Sequence, residues 1–315
     1  MNSPIKIGTR GSKLALWQAN WVKSVLEEKF PPYTVELIII KTRGDKILDV
    51  PLAKVGGKGL FVKEIEHALL TRHIDIAVHS MKDMPAEIPD GLCIGAVPER
   101  ENPSDVFISR SGLGFDEIDS GSIIGTSSLR RGAQLRHARP DMVIQPLRGN
   151  LDTRLKKLHT ENLGAIVLAA AGVKRLDLEH KITEYLSPDI ILPAIGQGAL
   201  CIETRSDDPI VGPLVELLDH APTRTVVKGE RAFLNRLEGG CQVPIAGHGK
   251  ISQNQFILTG LVAEVDGSRL IKAENSGPMD SSEAIGIDLA EELLAKGADK
   301  ILKKLKSISP EGYES

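Results

Sequence analysis

Cysteine is scarce in this chain: there are three in 315 residues, and no two of them form a C-x-x-C pair. An odd number without paired spacing argues against a disulfide framework and against a zinc ribbon, and it points to a reducing compartment. Aromatic residues make up only 3% of the chain, too few for the stacking platforms on which single-stranded nucleic acid is bound. No apolar run approaches the roughly 20 residues that cross a bilayer. The opening Met1-Asn-Ser-Pro-Ile-Lys-Ile-Gly8 has neither a basic segment nor a long apolar one, so the expectation is a cytoplasmic protein with no membrane partner. The net charge of −3 makes the molecule as a whole unattractive to polyanions, and nucleic acid is not an expected partner. Basic residues nevertheless gather in particular loops, which suggests a local pocket for an acidic small molecule.

What is present is an alternation of strand and helix periods. At this length the chain has room for two or three domains of about 100 to 150 residues each. Residues 5–8, 35–41 and 74–79 read as strands and 14–29 and 60–71 as helices, the grammar of a parallel or mixed α/β sheet. Leu14, Trp17, Trp21 and Val25 recur at helical spacing, which assigns both tryptophans to a core. After the polar, proline-flanked stretch 97–103 the grammar restarts, with strands at 122–125, 142–147 and 165–168 and helices at 128–139 and 151–159. Leu192-Pro-Ala-Ile-Gly-Gln-Gly198 reads as a returning hinge. The strand at 199–204 then has no local neighbour and is expected back in the first sheet. The expected organisation is a discontinuous first α/β lobe (1–98 and 199–219), a second α/β lobe (104–193), and a small α+β domain (222–315). That last part reads as a helix at 226–237, antiparallel strands across 249–276 with an Asp266-Gly267 hairpin turn, and one long amphipathic helix from 282 to about 304.

Charge sits where the strands end. In Gly8-Thr-Arg-Gly-Ser12 the glycines let backbone N–H groups converge at a helix N-terminus, and Arg10 and Ser12 add donors; Ser12 could equally serve only as a helix cap. Gly125-Thr-Ser-Ser-Leu-Arg-Arg131 repeats the arrangement and adds Arg130 and Arg131. Arg148 and Arg154 flank the next such turn, and Arg175 follows a further strand. Ligands of open α/β sheets collect beyond the carboxyl ends of strands, and the planar arginine fork suits a carboxylate there. Asp83, in His79-Ser-Met-Lys-Asp-Met-Pro85, falls at a strand end too and could stabilise a cation developing on a substrate, with Lys82 beside it as a further carboxylate binder. Cys241 stands between Gly239-Gly240 and Pro244, displayed for chemistry, whereas Cys93 and Cys201 lie in apolar runs and read as small buried hydrophobes.

In this order, these segments together with Leu192–Ala199 resemble the porphobilinogen deaminase (hydroxymethylbilane synthase) family from residue 5 to about 245; Ile245-Ala-Gly-His-Gly249 follows the family only loosely. The resemblance implies a transferase of tetrapyrrole biosynthesis. Such an enzyme joins four porphobilinogens head to tail with release of ammonia and frees the linear tetrapyrrole hydroxymethylbilane. It implies two lobes of the periplasmic-binding-protein type with a double crossover, plus a third domain. It also implies a dipyrromethane cofactor held by a thioether to the residue matching Cys241, and no metal. The catalytic aspartate falls on Asp83. Cofactor-binding positions fall on Lys82, Ser128, Arg130, Arg131 and Arg148, and substrate-binding positions on Arg10, Ser12, Arg148, Arg154 and Arg175. Each porphobilinogen carries an acetate and a propionate, so a growing chain needs the cationic lining these residues offer. Nothing suggests an obligate interface, and a monomer is expected. Two other readings remain at this point. A two-lobed ligand-binding module would need an export signal or a DNA-binding segment. A cysteine hydrolase would use Cys241 with His248 or His79 as base and would keep a free thiol of low pKa.

Overall fold

The computed structural model describes residues 4–46, 59–237 and 243–308. Its first sheet is built from β1 (Ile5–Thr9), β2 (Val35–Ile39), β3 (Ile76–Ser80) and β4 (Leu92–Ala96). The chain then leaves this sheet through 97–104 and forms β5 (Asp105–Ser109), β6 (Ile123–Gly125), β7 (Val143–Gln145), β8 (Ala165–Ala169) and β9 (Glu184–Tyr185) in a second sheet of order β7-β6-β8-β5-β9. It returns through 192–199 into β10 (Leu200–Arg205), which pairs antiparallel with both β3 and β4 and gives the first sheet the order β2-β1-β3-β10-β4. The lone strand expected at 199–204 therefore does go back. All six β10 residues are buried, although its second half, Glu203-Thr204-Arg205, is polar. Partners explain this: Glu203 meets His79 at 3.0 Å, and Arg205 donates to Asp75 and Asp208 and to the carbonyls of Leu69 and Ile74.

A third sheet of β11 (Ile245–Ser252), β12 (Gln255–Ala263) and β13 (Leu270–Pro278) packs against the helices Ala221–Arg236 and Ser282–Leu293 around Phe233, Phe256, Leu258 and Leu289. Two expectations are corrected in this region. The final helix is not continuous, because Gly297 takes φ 101° and separates Ser282–Leu293 from Asp299–Ile308. A second hairpin turn, Gln253-Asn254, has both residues at positive φ and escaped the sequence reading because it contains no glycine. Elsewhere, Trp21 packs on the first-lobe core as expected, but Trp17 is 37% exposed, with the Arg175 guanidinium 5.8 Å from its ring. Helical spacing marks a face and does not say whether a core or a neighbouring lobe covers it. Cys201 is fully buried, whereas Cys93 is only partly so.

The two crossovers meet at one buried carboxylate. Glu230, fully buried in the helix Ala221–Arg236, accepts Arg100 Nη1 of the first crossover at 2.7 Å, Gly196 N of the second at 2.6 Å, and Gly249 N of β11 at 2.8 Å. Arg100 Nε donates in turn to Gln197 O at 2.7 Å, and Gln197 Nε2 donates to Pro103 O at 2.7 Å. Gly198 is required beside them: its φ is +89°, and a Cβ there would stand 2.3 Å from Glu101 O. Replacing Glu230 by Gln leaves Arg100 facing a neutral amide and sets an amide nitrogen against a backbone N–H. The expected cost is about 3 kcal/mol, read as a fall in the urea midpoint at unchanged slope; a shift worth under about 1 kcal/mol would show that the junction does not depend on this charge.

Candidate active site

Because β1 and β3 run parallel, the loops after them open on the same edge. The first carries Arg10 and Ser12. Ser12 caps the helix Lys13–Lys29, its Oγ accepting from Ala15 N at 3.3 Å. Arg10 is stacked 4.2 Å over the ring of Phe61, and its Nε donates to Asp45 Oδ1 at 3.1 Å. Burial opposes the charge on Asp45, but hydrogen bonds from Arg10 and Thr42 hold its pKa below the ordinary carboxylate value. After β3 the chain makes the single turn Met81–Asp83. Asp83 lines one cavity with Arg10, Ser12, Gln18, Phe61 and His79, so Asp83, Arg10 and Ser12 come together as expected.

In the second lobe β6, β7 and β8 are parallel, and their carboxyl ends deliver Ser128, Arg148 and the helix Ala170–Arg175. Ser128 caps the helix Leu129–Ala138, its Oγ accepting from Arg131 N at 3.4 Å. Arg130 and Arg131 are buried and share Asp105: Arg130 Nη1 reaches Oδ2 at 2.7 Å and Arg131 Nε reaches Oδ1 at 2.8 Å. Arg130 also donates to Leu192 O, and Arg131 to Val167 O. Burial would raise the pKa of Asp105, yet the two guanidiniums hold it far below the usual carboxylate range. Arg154 Nε is held by Gly149 O at 2.8 Å. Burial lowers the Arg154 pKa to about 10, with Arg131 and Arg148 adding to the fall and Asp83 opposing it. Arg175 turns to the second crossover, donating to Gly198 O at 2.8 Å, and does not line the Asp83 cavity.

Lys82 joins the two lobes electrostatically. Its ammonium is 3.5 Å from Gln197 Oε1. Its pKa is pushed down to about 8, first by burial and then by Arg131, with Asp83 and Asp105 pulling the other way. Asp83 thus acts on both Lys82 and Arg154, which in turn feel Arg131, while Asp105 is the counter-charge of Arg130 and Arg131. Sequence reasoning missed Asp105 and Asp45, whose only signal is an acid at a strand or turn that faces an arginine-bearing loop; it singled out the segment 192–198 as a hinge but not Gln197 within it. Cys241 lies outside the described residues; the helix Ala221–Arg236 precedes it in sequence. Of the other cysteines, Cys201 has its thiol pushed up by burial and by Glu203 and is unreactive. As to the hydrolase bases, His79 is held by Glu203, and His248 stands in a separate cleft with Lys250, Thr259 and Lys272. No group of His, Cys, Asp and Glu suited to a metal ion occurs among the described residues.

A two-lobed α/β scaffold that brings cations from both lobes toward one carboxylate is suited to a ligand carrying several carboxylates. The family model "Porphobilinogen deaminase, dipyromethane cofactor binding domain" matches residues 5–212, and "Porphobilinogen deaminase, C-terminal domain" matches 225–295. The porphobilinogen deaminase of Geobacter sulfurreducens is 56% identical over 96% of this chain and 94% of its own length. That of Carboxydothermus hydrogenoformans is 53% identical over 97% of this chain and 98% of its own. Among solved structures, the probable amino-acid ABC transporter extracellular-binding protein of Bacillus subtilis is 11% identical over 69% of this chain and 90% of its own, with a TM-score of 0.43. The chain belongs to the porphobilinogen deaminase family.

Lys82 gives the site a pH signature. As pH rises through about 8 the ammonium loses its proton, so affinity for a small polycarboxylate, followed by calorimetry, should fall up to about fivefold between pH 8 and 9. Fold stability should move the opposite way from about 8 to the ordinary 10.5, because there the unfolded chain binds the proton that the folded one has lost. Lys82→Arg should remove both trends; if the fall in affinity persists in that variant, another group is responsible.

Proposed function

We propose that this enzyme joins four porphobilinogens head to tail onto a dipyrromethane held by a thioether at Cys241, releasing one ammonia at each addition, and that water then cleaves the four added units from the dipyrromethane and supplies the hydroxyl of hydroxymethylbilane. The observation that carries the reading is that Asp83 shares one cavity with Arg10 and Ser12 and acts on the charges of Lys82 and Arg154, one from each lobe. The donor set fits the cofactor: positive charge exceeds that of Asp83 and Asp105, and each pyrrole ring brings two carboxylates to neutralise it. Lys82, Ser128 and Arg148 would hold the cofactor carboxylates, with Arg130 and Arg131, whose forks are both already engaged by Asp105, adding charge. When bound, the dipyrromethane supplies the pyrrole nucleophile for the first coupling.

Arg10, Ser12, Arg148, Arg154 and Arg175 are assigned to the incoming substrate and the lengthening chain. Arg175 is buried and the other four are half-buried, which limits the water that competes for the carboxylates they bind. Loss of ammonia leaves positive charge developing at the substrate's pyrrole nitrogen, and Asp83 stabilises it from a turn fixed by its own backbone hydrogen bond, Met84 N to Met81 O at 3.1 Å. No described helix is long and apolar enough to cross a membrane. We place the enzyme in the cytoplasm as a monomer. Residues 1–98 with 199–219, 104–193 and 222–315 would act as three units that move about the crossovers.

Two substitutions test this. Cys241→Ser should yield protein whose mass lacks the two-pyrrole adduct that the wild type carries, without turnover; a normal adduct on the variant would move the attachment elsewhere. Asp83→Asn should retain the adduct and lose turnover by about a thousandfold, measured as single-turnover ammonia release. Asp83→Glu should keep measurable activity. A near-wild-type rate for the Asn variant would remove Asp83 from the chemistry.

A further inference from the structure

The helix Ala221–Arg236 touches more than the hinge. One position beyond Glu230, Arg231 aims its guanidinium at the segment that follows Asp83: the single nitrogen Nη2 donates to Pro85 O at 2.9 Å and to Ala86 O at 2.8 Å. Asn235, one turn on, adds a longer contact to Ala86 O at 3.4 Å. Both carbonyls are otherwise ill served locally, because the chain there is neither helix nor strand and Pro85 interrupts any continuation of the turn. Arg231 is itself set by its surroundings: burial lowers its pKa, and the buried Glu203 offsets this. Arg224, two turns earlier, fixes the start of the same helix to the first sheet through Gly95 O at 2.9 Å. The helix is thus tied to the first lobe at both ends, and its Arg231 end grips the residues next to Asp83.

In sequence the same helix runs directly into the segment that contains Cys241. We propose that Arg231 is a positioning residue: it couples the Asp83 turn to the cysteine-bearing domain, so that the carboxylate keeps its place relative to the anchored end of the chain while the lobes adjust around a lengthening product. This rests on the function proposed above. A guanidinium suits the task because the two N–H bonds of Nη2 are held in the guanidinium plane and can be aimed at two carbonyls at once, whereas an ammonium is a point donor on a flexible stem.

The test uses wild-type holoenzyme with Arg231→Lys and Arg231→Leu. Both variants should keep the two-pyrrole adduct by mass. Turnover should fall about threefold to tenfold in the lysine variant and about a hundredfold in the leucine variant, with KM within about twofold. Amide hydrogen exchange over residues 81–88 should quicken in both, more than in the rest of the first lobe. Placed on Asp83→Glu, where the charge is already displaced, Arg231→Lys should cost less than about twofold, since groups acting as one unit are non-additive. Wild-type turnover in Arg231→Lys, or the same fold loss in both backgrounds, overturns the proposal, the second by making the contact merely structural. If Arg231→Leu does not fold, the lysine variant and its combination with Asp83→Glu decide the matter. Exchange needs no turnover, so it tests the coupling separately from the chemistry: a wild type without the adduct would sink the functional reading, and unchanged exchange in the variants would sink this one.

Discussion

The two crossovers between the lobes and the third sheet converge on Glu230. A carboxylate with no exposed surface is costly to bury, and it persists because four donors from three regions of the chain meet it: two from Arg100 and the backbone N–H groups of Gly196 and Gly249. The donors come from three pieces: Arg100 from the first crossover, Gly196 from the second, and Gly249 from the third sheet. Hydrogen bonding here decides connectivity more than it adds stability. A hydrophobic cluster of equal volume could bury as much area, but it would not dictate which strand of chain lies against which.

Two other acids, Asp105 buried and Asp45 half-buried, organise the cations of the cleft by the same logic. Asp105 under Arg130 and Arg131, and Asp45 beside Arg10, hold guanidiniums in place before any ligand arrives. Ordering two long side chains on ligand arrival would weaken binding, and prior ordering removes that cost. It also limits repulsion among like charges that burial brings close. Lys82 shows how near that limit the site stands, since burial and Arg131 bring its proton within reach of neutral solution.

Much of this could be read from the chain. The strand and helix periods gave both α/β sheets, and the orphaned apolar run Ala199-Leu-Cys-Ile202 announced the return of β10, because a buried strand must find a partner. Glycine and small polar residues at strand ends located Arg10, Ser128 and Asp83. What was not legible was partnership. Nothing in the sequence pairs Asp105 with Arg130, Arg100 with Glu230, or Arg231 with Pro85 O, since each joins residues 25, 130 or 146 positions apart. Trp17 failed for a related reason: periodicity reports which face of a helix is apolar, and the second lobe, not the core, comes up against that face. Gly297 failed because a single glycine inside an amphipathic period can be tolerated or can end the helix, and only its positive φ decides.

The place of β10 has a consequence for how the protein is made. Among the described residues β4 pairs only with β10, and β3 meets β10 on the side away from β1. Until residue 205 has left the ribosome, β4 has no neighbour and β3 presents an open edge. The second sheet, by contrast, is closed by residues 105–185 alone. The lobe encoded in the middle can therefore finish first, while the amino-terminal one waits, part-built, for a strand made more than a hundred residues later than β3, which makes it the stage at which a nascent chain most needs protection from pairing with another.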